Sequence, residues 1–185
     1  MGFEENTELT PLTAEQDQAL REVMLDRAPK ELAALETATT DEEVFCALPQ
    51  AAIAAWHLGQ IDLAISLAER TLTLAPDFMD NWNYGNAVHY GHHALGLCAL
   101  HNGQTDEAVA QLHQAGSTPG SPQLNSFGPS MQLAKALAAQ GEFDAVLTYL
   151  EQCRVFWKSG EVWLDIWKKK LQAGIVPNFF VSGYR

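Results

Sequence analysis

Four residues between positions 82 and 93 have types and a spacing that could do chemistry: Trp82, Asn86, His89 and His93. On an α-helix they fall within about 60° of arc at 100° per residue, so one helix would present an aromatic, an amide and two imidazoles together. His89 and His93 stand at i and i+4, the spacing of a helical metal-binding pair. A zinc-type site needs three or four ligands, and no cysteine or carboxylate lies close in sequence to complete one. His101 and His113 come near only if the fold brings them. The expectation is therefore no cofactor, with the two histidines hydrogen-bonded in a polar groove; a divalent metal on His89 and His93 is the alternative. A serine nucleophile, Ser126 or Ser130, beside His89 is the catalytic alternative. The chain has no Gly-x-Ser-x-Gly, phosphate-binding loop, dinucleotide fingerprint or calcium-loop pattern, so no catalytic residue is assigned and the balance lies against an enzyme.

A second polar segment, residues 115–130, carries Gly116, Gly120 and Gly128 with Pro119, Pro122 and Pro129. Three prolines stiffen it, and long ordered connections carry function more often than short ones. Gln123, Asn125 and Ser126 are its candidate binding groups, facing Trp82, Asn86, His89 and His93 across a groove.

Positioning such groups requires a cored fold, and 185 residues with 47% apolar content are enough for one domain. The net charge of −12 argues against a phosphate-tracking nucleic-acid surface and against anionic membranes. No stretch approaches the length of a bilayer span, and Met1 to Thr10, with Glu4, Glu5 and Glu8, is no secretory signal. Residues 1–12 are expected to be a disordered acidic N-terminus, and residues 13–185 a single domain. Cys46, Cys98 and Cys153 are odd in number and widely spaced, which suits buried thiols in a cytoplasmic protein rather than disulfides or a zinc ribbon. Cys153, beside Arg154, is the only one with an adjacent cation to favour a thiolate.

Helix signals run the whole length, and no segment alternates like a strand. Thr13-Ala-Glu-Gln16 reads as a capping box opening a helix to about Arg27. Pro29 suits the first turn of a second helix, through about Thr37. Thr40 caps a third, which Pro49 kinks or divides. Asp80 is the expected N-cap of a long helix to His101. Residues 151–185 carry six bases and three acids, and Lys168, Lys169 and Lys170 before Gly174 suit a helix C-terminus.

Three segments repeat. Leu58-Gly-Gln-Ile-Asp62, Asn102-Gly-Gln-Thr-Asp106 and Gln140-Gly-Glu-Phe-Asp144 are Gly-x-x-Asp turns between an apolar helix and an amphipathic one. Small residues, Ala52, Gly96 and Ala134, precede each glycine by seven positions, and Pro76 closes the first unit. On these residues the stretch 45–158 resembles the tetratricopeptide repeat (TPR). The usual aromatic is replaced by Leu48, His92 and Ser130, and the turn glycines lie 44 and 38 residues apart rather than at the family's period of about 34. The stretch from Asn86 through the loop resembles small bacterial TPR-like proteins, a resemblance that implies no mechanism.

The resemblance implies an all-α fold, a right-handed α-α superhelix of about three TPR-like helix pairs over residues 45–78, 82–122 and 127–158. Helices from residues 13–39 would cap one end, and residues 159–185 the other. It also places the first helix of each pair, and so Asn86, His89 and His93, on a concave wall. The apolar tail Ile175–Val181 is expected to dock on the body, with Phe179 and Phe180 as a partner site in the alternative. The functional expectation is a module binding a protein or peptide segment, or a small polar ligand. The rivals are a metal- or small-molecule-dependent enzyme or sensor, and a structural homo-oligomer joined through Trp163 and Trp167 or the tail.

Overall fold

A computed structural model describes residues 13–179; the expectations for residues 1–12 and for Phe180 onward lie outside the described residues. Among the described residues the secondary structure is helical throughout. No helix there is long and apolar enough to cross a membrane.

Helix α1 spans Ala14–Thr37 and opens on the Thr13/Gln16 capping box. It does not stop at Arg27. The chain passes through Pro29 without a break, because the proline faces solvent while Ala28 beside it packs inward. The pairs Asp26–Lys30 and Arg27–Glu31 bridge the same turn at 3.5 and 3.4 Å. Helix α2, Asp41–His57, likewise runs through Pro49 undivided. Phe45, Leu48, Ala51, Ala52 and Ala55 on either side of that proline are fully buried, and their packing holds the helix across the missing hydrogen bond. In both helices tertiary contact overrides the local rule.

The start of α2 has a full box. Glu43 N–H donates to Thr40 Oγ1, and the Glu43 carboxylate accepts from the backbone of Thr39 and Thr40. Those bonds hold the Glu43 carboxyl below its ordinary pKa. Thr40→Ala is expected to cost about 1 kcal/mol of stability, measured by urea unfolding.

Helix α3, Ile61–Leu74, leads through a 3₁₀ turn, Ala75–Phe78, to α4, Tyr84–His101. Asp80 is not the cap of α4: the helix begins beyond it, after Asn83. Residues 79–83 instead form turns pinned by Asn81, whose Oδ1 accepts from Asn83 N–H and whose Nδ2 donates to Glu42. Helix α5 is Thr105–Gly116, α7 is Gln132–Ala139 and α8 is Phe143–Phe156. The connection between α5 and α7 is not bare loop. It contains a short helix α6, Pro122–Phe127, capped by Ser121 Oγ on Leu124 N–H and anchored by buried Leu124.

The three Gly-x-x-Asp turns close alike. Gly59, Gly103 and Gly141 have φ of +73°, +74° and +92°. The next N–H reaches back to a carbonyl five residues earlier: Gln60 to Ala55, Gln104 to Ala99, Glu142 to Leu137. A left-handed residue is what this reversal needs, and glycine supplies it without a Cβ penalty.

Helices α2 and α3, α4 and α5, and α7 and α8 thus form hairpins, and α3 packs on α4, α5 on α7 and on α8, while α2 touches α4 and α4 touches α7. The shared core is rich in alanine (Ala52, Ala64, Ala68, Ala94, Ala108, Ala134), which lets backbones approach closely. Helix α9, Glu161–Gln172, packs on α8. The described part of the tail returns to the body, where Phe179 is fully buried with its ring 5.0 Å from that of Trp167. Ile175 and Val176 remain exposed.

Candidate functional site

The sequence-selected residues meet around the 115–130 connection. Asn86 is buried; its Nδ2 donates to Asn83 Oδ1 and Gln123 Oε1, and its Oδ1 accepts from Ser121 Oγ at 2.6 Å. Thr118 Oγ1 donates to the Gly85 carbonyl. His89 and His93 stack at 5.7 Å between ring centroids, both with no solvent exposure. His89 Nδ1 faces the Ala115 carbonyl at 3.2 Å, so it carries the proton, and Nε2 accepts from Ser130 N–H at 3.1 Å. Ser130 Oγ lies 3.0 Å from His93 Nε2, and the Ser130 carbonyl accepts from Tyr149.

This cluster is a buried polar joint that seats the connection on α4. Both nitrogens of His89 are used within the protein, leaving no lone pair for a metal. Among the described residues no three His, Cys, Asp or Glu side chains group as a metal site would need. The Ser130–His93 contact has the geometry of a nucleophile and its base, but neither residue is open to a substrate. Burial lowers the pKa of His89 to about 4 and that of His93 well below its ordinary value, so both are neutral at pH 7.

Other selected residues lie apart. Trp82 precedes α4 and is 54% exposed. Asn125 and Ser126 are exposed, and their carbonyls accept from Ser159 Oγ at 3.2 and 3.5 Å. His92 bonds to Gln111, and His113 to the Ala145 carbonyl. The thiols are not poised for chemistry: burial raises Cys98 to about 11 and pushes Cys153 up, and Arg154 is engaged by Asp165 at 2.8 Å.

A larger open cavity lies elsewhere, between α1, which packs along α2, and residues of α2, α4 and α7. It holds about 650 Å³. Arg21 and Leu25 of α1 form one wall, Trp56 and His57 of α2 another, and Leu97 and Leu100 of α4 the floor. Gln132, Lys135, Ala136 and Ala139 of α7 close the far side. The N-terminal half of α1 is held there by Asp17, which pairs with Arg21 at 3.0 Å and reaches Lys135 across to α7 at 3.8 Å. Both pairs are partly exposed and contribute little individually.

Three polar atoms in these walls have no hydrogen-bond partner: Trp56 Nε1, His57 Nε2 and Gln132 Oε1. Each such group costs roughly 1–3 kcal/mol when left unpaired. Their types are complementary, a donor, an acceptor and an imidazole that can be either. Burial lowers the His57 pKa to about 4, so it too is neutral at pH 7.

Sequence reasoning missed Trp56, His57, Gln132 and Lys135. The repeat carries a signal for them, because all four stand on the first helices of their pairs, as Asn86, His89 and His93 do. Comparison of the chain with protein-family models, with curated proteins and with solved structures finds no match to any of them.

Proposed function

We propose that the chain is a binding module built as a TPR-like helical array, taking a small organic ligand in the cavity between α1 and helices α2, α4 and α7. The array reading is supported by three hairpins with one turn chemistry and by contacts that run from each hairpin to the next. One observation carries the ligand reading: an open cavity of about 650 Å³ has an apolar floor of Leu97 and Leu100 with Trp56, His57, Gln132 and Lys135 among the residues around it. An apolar floor edged by a few polar side chains is the usual makeup of a ligand pocket. A bound protein segment fits less well, because Arg21 and Leu25 of α1 already wall the cavity.

The test uses the apolar fluorophore N-phenyl-1-naphthylamine. It is expected to bind the wild-type protein and to lose at least about tenfold in affinity, about 1.4 kcal/mol, in Ala136→Trp, which fills the cavity. Thr148→Trp, on an exposed turn of α8, is expected to bind as the wild type does. Equal binding by both variants would place the fluorophore elsewhere and defeat the proposal.

A further inference from the structure

Beneath α1 lie two cavities. The second, about 210 Å³, is walled by Met24 and Ala28 of α1, by Ile53 and Ala54 of α2, and by Tyr90 of α4. His57 lines both. The α1 residues over the two cavities run from Arg21 to Glu31, about 15 Å of helix at 1.5 Å per residue. His57 is the one residue that the two linings share. The His57 ring is held by an edge contact with Trp56 at 5.0 Å, and its Nε2 bonds to nothing.

Charge separates the two cavities. The larger cavity has Arg21 and Lys135 as its formally charged lining residues and no acid, within a chain whose net charge is −12. A carboxylate, that of Asp17, already stands against both cations. In the smaller cavity the charged residues Arg27 and Glu31 pair with each other, and Met24, Ala28, Ile53 and Ala54 line it beside Gln50, His57 and Tyr90.

We propose that the two cavities form one trough, with His57 between them, and that it takes an organic monoanion with a slim apolar tail. Its carboxylate exchanges with that of Asp17 at Lys135 and Arg21, its tail lies over Leu97 and Leu100, and His57 is the stop that sets tail length. This rests on the larger cavity being a binding site.

Affinities of hexanoate, octanoate, decanoate and dodecanoate, each below its micellar concentration, are measured by isothermal titration beside the alcohols of equal length. Affinity is expected to rise about fourfold per added methylene up to a limiting length and then level off. The carboxylates are expected to bind about tenfold tighter than the alcohols. Lys135→Gln removes that advantage and Asp17→Asn enlarges it. His57→Ala, with its fold checked by circular dichroism, moves the limit to longer chains, and His57→Phe restores it.

Alcohols that bind as tightly as the acids would overturn the charge assignment while leaving the cavity as a site. An unchanged limit in a folded His57→Ala protein would overturn the role of His57. If no chain of either series binds, the failure is that of the cavity reading itself.

Discussion

Gly85→Ala is expected to destabilise the protein by about 3 kcal/mol or more, at the upper end of what overpacking costs. A methyl group on Gly85 would collide with the carbonyl of Gly120, backbone against side chain with no flexible end to yield. The same turn of α4 receives Thr118 Oγ1 at the Gly85 carbonyl and Ser121 Oγ at Asn86, at 2.7 and 2.6 Å. Moving the connection away to admit the methyl breaks both bonds and exposes Leu124. Gly103→Ala is the informative comparison. There a methyl meets nothing, and the only penalty is a left-handed φ of +74°, roughly 1–2 kcal/mol. Urea unfolding midpoints should therefore fall further for Gly85→Ala than for Gly103→Ala. Hydrogen exchange should show the excess loss at residues 118–124. A Gly85→Ala protein with the wild-type midpoint would mean that the connection is not seated on α4.

The second large effect is with pH. His57, His89 and His93 all have lowered pKa values, in each case chiefly through burial. The unfolded chain therefore binds more protons than the folded one between its own histidine value, near 6.5, and the folded values. Stability is then complete above about pH 6.5 and falls as the pH drops toward 4. For fully buried His89, a change from 6.5 to about 4 corresponds to roughly 3 kcal/mol by pH 4. The groups facing His89 and His93 are each other, His92, His57, Tyr90 and Ser130, none of them a carboxylate to hold a proton on the ring. Unfolding free energy measured from pH 7 to pH 4 should decline, and His89→Gln should be less stable at pH 7 but visibly flatter across that range. A flat wild-type curve would mean that these imidazoles are accessible to solvent.

The parts of the fold legible in the sequence were local ones. The Gly-x-x-Asp turns, the Thr13 capping box, the Thr40 helix start and the Gly174 helix end each follow from a few adjacent residues, and each is present. Pro29 and Pro49 misled because their effect depends on what the rest of the helix packs against. Asp80 misled because Asn81, pinned to Glu42 of another helix, starts α4 later. In the joint, Asn86 and the histidines could be selected because polar side chains on an otherwise apolar helix must find partners. Thr118, Ser121 and Ser130, which provide most of those partners, are ordinary loop residues by type. The cavity was hidden for a different reason. Its walls come from α1, α2, α4 and α7, segments far apart in the chain that no local pattern joins.

The most direct test of the cavity as a binding site follows the indole N–H signals in a proton–nitrogen NMR titration with decanoate. The Trp56 signal, assigned through Trp56→Phe, should shift saturably because Trp56 lines the cavity, while that of Trp163 on α9 stays in place. A Trp56 signal that does not move while decanoate binds would contradict the account.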